Sequence, residues 1–358
     1  MFKIFKKKTK NFVASQNEIS RIKIPQYLIN NVGIFYGKFK SDFIYTGFYA
    51  YKNNISQKEK IVSSFDKQTQ EIYLIFPIGC EEIAIRNSSQ KGYYENNFEL
   101  INHKFYTTDE FYKKFFKKEK KTNSLLHSFP RTGNNTIRKY FNNNEIGLLQ
   151  SHFVHTKTMS LKSKFDQEIL VDDLEVLGLI RNSNQNFNVL IGIRKPIEVI
   201  LSYLKKRRNI IEPQLDLIDD NWRKDENSTL DAIKKYLLEN LIPIYNSWWE
   251  NDFFELYKIN FVNFKKKITF HKFYSFYKQD TFNFYFYKLD KVNNFVKEYF
   301  DINYNLKIND KIIENSSQND FGYPNLKNLD SQKYSEIFKI VDKSLSDKTR
   351  NVLNIFYK

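Results

Sequence analysis

The chain has 358 residues, 41% of them hydrophobic, which suffices for a substantial core and predicts one main domain with an appendage. Its formal net charge of +16 calls for an anionic partner (nucleic acid, acidic glycan, anionic lipid or nucleotide cosubstrate), although a chain this rich in Lys, Asn, Ile, Phe and Tyr draws part of that basicity from composition. A single cysteine, Cys80, excludes an internal disulfide framework and a cysteine-rich zinc site, and fits a reducing compartment with the thiol as a small buried residue.

The opening "MFKIFKKKTKNF" has lysines without a following apolar h-region, and no apolar run reaches the length of a membrane span. The expectation is a cytoplasmic protein with no transmembrane segment and a solvated, frayed N-terminus. Residues 30–100 alternate aromatic and polar positions, as in "GIFYGKF", "EIYLIFPIG" and "EEIAIRN", the pattern of short half-buried strands. In "TTDEFYKKFFKKEKK", Thr107 stands as N-cap with Glu110 three residues on and lysines toward the end, which predicts a capped helix with a solvated basic face. Residues 1–120 are thus a β-rich module ending in a basic helix.

From residue 121 the texture is α/β. "LLHSF", "FNVLIGIR" (187–194) and "FNFYFYKL" (282–289) read as buried strands. Between and after them come the helical patterns "TLDAIKKYLLENLIPIYNSWW" and "KVNNFVKEYF", so residues 121–358 should form a central parallel sheet flanked by helices. There is no internal repeat, and Asn142–Asn144 read as loop.

In such sheets ligands bind beyond the carboxyl ends of the strands, at helix N-termini whose N–H groups favour anions. "FPRTGNNTI" occupies that place. Arg131 is a fixed cation, Thr132 and Thr136 carry hydroxyls, Asn134 and Asn135 carry amides, and Gly133 permits close backbone approach. No Gly-Lys-Ser/Thr follows a first glycine, so this is not a Walker A loop. Alone, the segment fits equally a corner capped by a threonine. A second strand exit, "RKPIEVILSY", sets Arg194 before Pro196 at a helix start, with Ser202 eight residues after the arginine. Two anion-suited corners in one sheet are poorly explained by turn geometry alone. His152 and His155 lack an acidic or cysteine partner at ligand spacing, so no metal is expected.

These segments resemble the sulfotransferases that use 3′-phosphoadenosine 5′-phosphosulfate (PAPS), whose 5′-phosphosulfate loop and 3′-phosphate segment are similar to "FPRTGNNTI" and "RKPIEVILSY". "YNSWWENDF" and the following strand and helix extend the likeness over roughly residues 122–302, in segments. The resemblance implies a P-loop-like sulfotransferase fold and sulfuryl transfer from PAPS to a hydroxyl. A looser similarity to bacterial capsular polysaccharide synthesis proteins points to a glycan acceptor. It implies that Arg131 is catalytic, that Thr132, Gly133, Asn134, Asn135 and Thr136 hold the phosphosulfate, and that Arg194 and Ser202 hold the 3′-phosphate. A general base falls in "LLQSHFVHTKTMS", where His155 matches better than His152; Glu198 is a weaker acid/base candidate and His127 is structural. Two departures stand out: Asn134 and Asn135 replace the usual hydroxyl pair, and only "NDFGYPNLKN" is available as the C-terminal phosphate loop. The alternative is a non-catalytic nucleotide- or polyanion-binding protein on a degenerate sulfotransferase fold. No RNA-recognition, zinc-finger or helix-turn-helix signature marks a specific nucleic-acid partner, and the sequence leaves oligomeric state open.

Overall fold

A computed structural model describes residues 122–163, 171–182, 185–308 and 335–357 continuously, with segments 320–323 and 326–328. Before residue 122 it describes 12–13, 19–29, 33–40, 46–52, 55–60, 62–66, 71–76, 79–87 and 97–115. The chain divides into two compact units, one of residues 1–118 and 159–178, the other of residues 119–158 and 179–358. The first division falls two residues from the boundary expected at 120. The inclusion of 159–178 was not expected, because the order of elements along a chain does not say which core an apolar stretch such as Met159 or Val176–Leu177, all buried, will join.

The first unit contains β1 (Phe12–Val13), β2 (Ile19–Lys23), α1 (Gln26–Ile29), β3 (Gly33–Lys40), β4 (Thr46–Lys52) and β5 (Ile55–Lys60). It continues with β6 (Val62–Asp66), β7 (Glu71–Phe76), β8 (Glu82–Asn87), β9 (Asn97–Thr107) and α2 (Thr108–Phe115). The strands form two antiparallel sheets, ordered β1-β9-β3-β7-β6 and β2-β8-β4-β5. The β-rich reading of this region therefore agrees with the architecture. Phe35, Phe76 and Phe105 meet edge to face, and the Cys80 thiol is buried. The capping box forms as expected: Thr107 N–H donates to Glu110 Oε2 (2.8 Å), while Glu110 N–H donates to Thr107 Oγ1 (3.2 Å).

The second unit is α/β. β10 (Ser124–His127), α3 (Asn134–Asn143) and β11 (Leu149–Ser151) come first; α4 (Thr156–Ser163) and α5 (Val171–Asn182) follow, with residues 159–178 belonging to the first unit, and β12 (Phe187–Ile193) resumes the second. After α6 (Pro196–Lys206) and α7 (Arg208–Ile218), a long helix starts as α8 (Glu226–Tyr236) and includes α9 (Ile242–Ser247). Then follow α10 (Phe261–Lys267), β13 (Thr269–Phe270), β14 (Tyr274–Gln279), β15 (Phe282–Lys288) and α11 (Val292–Tyr304). β16 (Asp320–Tyr323), β17 (Leu326–Asn328), α12 (Ser335–Ser344) and α13 (Asp347–Phe356) complete it. The order of the main sheet is β11-β10-β12-β15-β14-β13, with the first four strands parallel and the last two antiparallel.

Both faces of the sheet are covered, as a mainly parallel sheet requires. Alternation along β15 makes this explicit. Tyr285 and Tyr287 join the cluster of Phe141, Phe295 and Tyr299 from α3 and α11, while Phe284 and Phe286 meet Phe253 on the opposite side. The long helix has five- and eight-residue π-type stretches at Leu237–Leu241 and Trp248–Glu255. Pro243 lies just after the first and cannot donate to the ladder, which favours a change of register there. Trp248 and Trp249 are core aromatics. Asn142 and Asn143 belong to the last turn of α3 rather than a loop, and Asn144 Nδ2 ties that end by donating to Tyr140 O (2.7 Å). "NDFGYPNLKN" contributes the paired strands β16 and β17, with its remaining residues outside the described ones.

Phe253 is fully buried between the long helix and β15, meeting the rings of Trp249, Phe264 and Phe284 at 5.4–5.7 Å. Phe253→Ala should lower unfolding free energy by about 3–5 kcal/mol, read as a fall in the urea midpoint. A loss under ~1 kcal/mol would show that this face is not the cooperative core.

Candidate functional site

From β10 the chain passes through α3 to β11 on one side, and later returns to β12 on the other. The carboxyl ends of β10 and β12 therefore flank the topological switch point, the place where open α/β sheets bind ligands. Two corners meet there, residues 128–133 after β10 and 194–195 after β12.

The first corner is fastened to the neighbouring strand. The ladder between β10 and β12 runs from Ser124–Asn188 to Leu126–Leu190, and beyond it the Gly192 N–H donates to Ser128 Oγ (3.0 Å). Ser128 Oγ lies 2.5 Å from Thr132 Oγ1, which donates to Phe129 O (2.7 Å). One proton order satisfies the set: Gly192 N–H to Ser128, Ser128 to Thr132, Thr132 to Phe129. A Cβ at 192 would sit 2.4 Å from Thr132 O and 2.6 Å from Thr132 Cβ, so only glycine lets the corner approach this closely. Arg131 (φ 72°) and Gly133 (φ 97°) are both left-handed, which coils the corner tightly.

These bonds decide which expected ligands face outward. Thr132 and Asn134 are buried, and Asn134 is engaged through Oδ1, which accepts from Tyr287 Oη (3.2 Å), and through Nδ2, which reaches Phe129 O (3.4 Å). Their side chains shape the corner. Thr136 is buried and Asn135 exposed. The N-cap of α3 is Gly133, which has no side chain to cap it, so the capping threonine considered from sequence does not occur. Asp225, Asn260 and Ser346 do cap α8, α10 and α13.

Arg194 joins the two corners: Nη1 donates to Arg131 O (3.2 Å) and Nε to Glu198 Oε2 (3.2 Å). Pro196 opens α6 as expected, and Ser202 lies half-buried along it. Burial, then the nearby Arg207 and Arg194 guanidiniums, push the Arg131 pKa down against an opposing effect of Tyr203. Among the described residues neither Arg131 nor Arg207 has a carboxylate at ion-pair distance, whereas Arg194 has Glu198.

Of the two histidines, the structure brings His152 to this corner. Its Nδ1 lies 2.8 Å from Ser128 O, and because a carbonyl can only accept, Nδ1 carries the proton and Nε2 the lone pair, with Gln150 Nε2 3.4 Å away. Trp248 Nε1 donates to His152 O (2.8 Å) and fixes the backbone there. His155 is committed elsewhere: Nδ1 accepts from Lys157 N–H (3.2 Å) and Nε2 faces Glu255 Oε1 (3.5 Å). Burial lowers its pKa, outweighing the attraction of Asp252 and Glu255. The pair is separated by Asp252, whose Oδ1 accepts from Val154 N–H (2.5 Å) and His155 N–H (2.8 Å). His127 is structural as expected, buried in β10 with Nδ1 2.9 Å from Tyr257 Oη.

Sequence reasoning missed Ser128, Tyr203, Arg207 and Asp252. Ser128 sits within an apolar run, and Arg207 stands in "LKKRR" as the C-cap of α6, where a helix C-terminus already accounts for basic residues. Asp252 had a usable signal, as an acid among aromatics in "WWENDFF" that needs partners once buried. Among the described residues no group of His, Cys, Asp and Glu could hold a metal, and no helix is long and apolar enough to cross a membrane. No family model, curated protein or solved structure matches the chain.

Gly192→Ala forces Thr132 away and should destabilise the unit by about 1–3 kcal/mol in urea unfolding, whereas Gly147→Ala, 3.0 Å from the Thr122 side chain, should cost less; the reverse ranking would refute the fastening. His155 has a folded pKa below its unfolded value of about 6.5, so its contribution is complete above that pH and lost as acid protonates the unfolded chain first. His155→Gln should flatten the stability–pH slope below pH ~6.5 by up to about 1.4 kcal/mol per unit.

Proposed function

We propose that the second unit is a PAPS-dependent sulfotransferase that moves a sulfuryl group to a hydroxyl, with a glycan as acceptor, on a P-loop-like sulfotransferase fold. The observation that carries this reading is the convergence of Arg131, Arg194 and Arg207 on the crevice between β10 and β12, where the ion pair to Glu198 is made by Arg194. Such an excess of fixed cations suits a ligand with several anionic groups, and a helix N-terminus without a side-chain cap adds donors beside them.

In this reading Gly133 and the first N–H groups of α3 hold the 5′-phosphosulfate and Arg131 neutralises charge on its oxygens. Arg194 and Ser202 hold the 3′-phosphate. His152 rather than His155 takes the acceptor proton on Nε2, because its other nitrogen is tied to Ser128 O. The acceptor oxygen forms the new S–O bond, the bond to the 5′-phosphate oxygen breaks, and adenosine 3′,5′-bisphosphate leaves.

The inward-facing Thr132 and Asn134 side chains favour a second reading, a protein that binds nucleotide or polyanion without turnover. It lacks the side-chain donors that sulfuryl oxygens usually receive.

Adenosine 3′,5′-bisphosphate should raise Tm more than AMP or ADP at equal concentration, and Arg194→Ala should abolish the difference. Equal shifts from all three nucleotides would remove the 3′-phosphate assignment. If sulfate transfer to a glycan panel is seen, His152→Gln should lower kcat about 100-fold while keeping the bisphosphate Tm shift; binding without transfer selects the second reading.

A further inference from the structure

At the far edge of the same sheet lies a second concentration of positive charge, independent of the crevice and of the function proposed for it. Residues 256–279 contain six lysines and no aspartate or glutamate. In the fold they include α10, the two-residue edge strand β13 and the turn into β14, and from Lys265 to Lys272 every side chain but Ile268 is exposed. Val262 and Phe270 project from this corner with 56% and 61% of their surface in water.

The corner is held in shape from behind. Phe264 is fully buried and meets Phe253, Phe254 and Tyr277 edge to face. Asn260 caps α10 by accepting from Asn263 N–H (3.1 Å), and Thr269 Oγ1 donates to Phe276 O (3.2 Å). The His271 ring stacks on Tyr274 at 4.6 Å. Lys291 Nζ donates to Lys272 O (3.3 Å) and adds another cation, while Glu298 acts near Tyr274 from α11. Lysines at the end of α10 complement its dipole, but that role does not account for a valine and a phenylalanine held out in water among them.

We propose that this corner docks on an anionic lipid bilayer. Phe270 and Val262 enter the interfacial layer, and Lys265, Lys266, Lys267 and Lys272 meet the headgroups, their aliphatic stems lying along the same boundary. Charge complementarity selects an anionic surface, and the exposed aliphatic Val262 with Phe270 selects lipid over a nucleic acid or glycan, which offers no apolar layer to receive them. β14 runs antiparallel to β15 with Tyr274 opposite Tyr287, so the turn between β13 and β14, with Lys272, stands at the strand-end side of the sheet where the crevice lies, and α10 leads into β13 from the other end. Four strand spacings, roughly 20 Å, separate β13 from β10.

The test uses the full chain carrying Phe270→Trp. The three native tryptophans, Trp222, Trp248 and Trp249, are buried, so the added indole dominates any environment-sensitive emission. With phosphatidylcholine vesicles containing about 30% phosphatidylserine, the emission should shift to the blue and the protein should sediment with the lipid; pure phosphatidylcholine should do neither. In the native background, Val262→Ser with Phe270→Ser, and separately Lys265→Gln with Lys266→Gln and Lys267→Gln, should each reduce cosedimentation about tenfold. An unchanged emission maximum overturns the proposal whatever the variants do. It is also overturned if only the lysine set matters and the same set governs binding to an oligonucleotide or a sulfated glycan, which would make the corner a polyanion site.

Discussion

The candidate site depends on one close approach, the corner after β10 lying directly against Gly192 of the next strand. Where the β10 ladder ends, the Gly192 N–H would lose its partner, and Ser128 Oγ takes the place of the missing backbone carbonyl. That substitution satisfies a buried donor and brings Thr132 within 2.6 Å of where any Cβ at 192 would stand. The hydroxyl relay from Ser128 through Thr132 to Phe129 then closes the corner on itself. Everything outside follows from what is inside: with Thr132 and Asn134 turned inward, the backbone and the Arg131 side chain are left to meet a ligand.

How much of this was legible in the sequence varies with the kind of interaction. The strands at 124–127, 187–193 and 282–288 and the capping box at Thr107 and Glu110 were legible because each rests on local pattern, an apolar run or a fixed three-residue spacing. The two corners were legible for the same reason. The inward turn of Thr132 and Asn134 was not, since it depends on Gly192 sixty residues later. Arg207 was hidden by a helix end that attracts cations anyway. Local alternatives also misled: Asn142 and Asn143 look like loop filler, yet they finish α3 because Asn144 supplies a bond to the Tyr140 carbonyl.

The two histidines show how tertiary partners separate residues that sequence places together. Three positions apart, His152 and His155 have comparable claims on chemistry until the long helix is laid across them. Asp252, fully buried in the π-type stretch of that helix, takes the Val154 and His155 N–H groups, and Glu255 on the next turn faces the His155 ring. Trp248 fixes the carbonyl of His152 from the same helix. His155 is thereby tied into the scaffold, and His152 is set against the corner by Ser128 O.

The arrangement at the corner is unfavourable for an isolated fold, which bears on why it persists. A non-glycine residue in the left-handed region costs roughly 1–2 kcal/mol, and Arg131 adds to that the proximity of Arg207 and Arg194 while partly removed from water. Among the described residues no carboxylate pairs with Arg131, and Glu198 already engages Arg194. The aromatic packing of Phe141, Tyr287, Phe295 and Tyr299 beneath α3 and of Phe253, Phe264 and Phe286 on the other face supplies the stability that holds the corner in place. An anion held by these guanidiniums would offset the repulsion, and its binding free energy would then add to the stability of this unit. A corner held this firmly keeps the Arg131 charge in a fixed position, the condition under which positive charge acts most strongly on an anion.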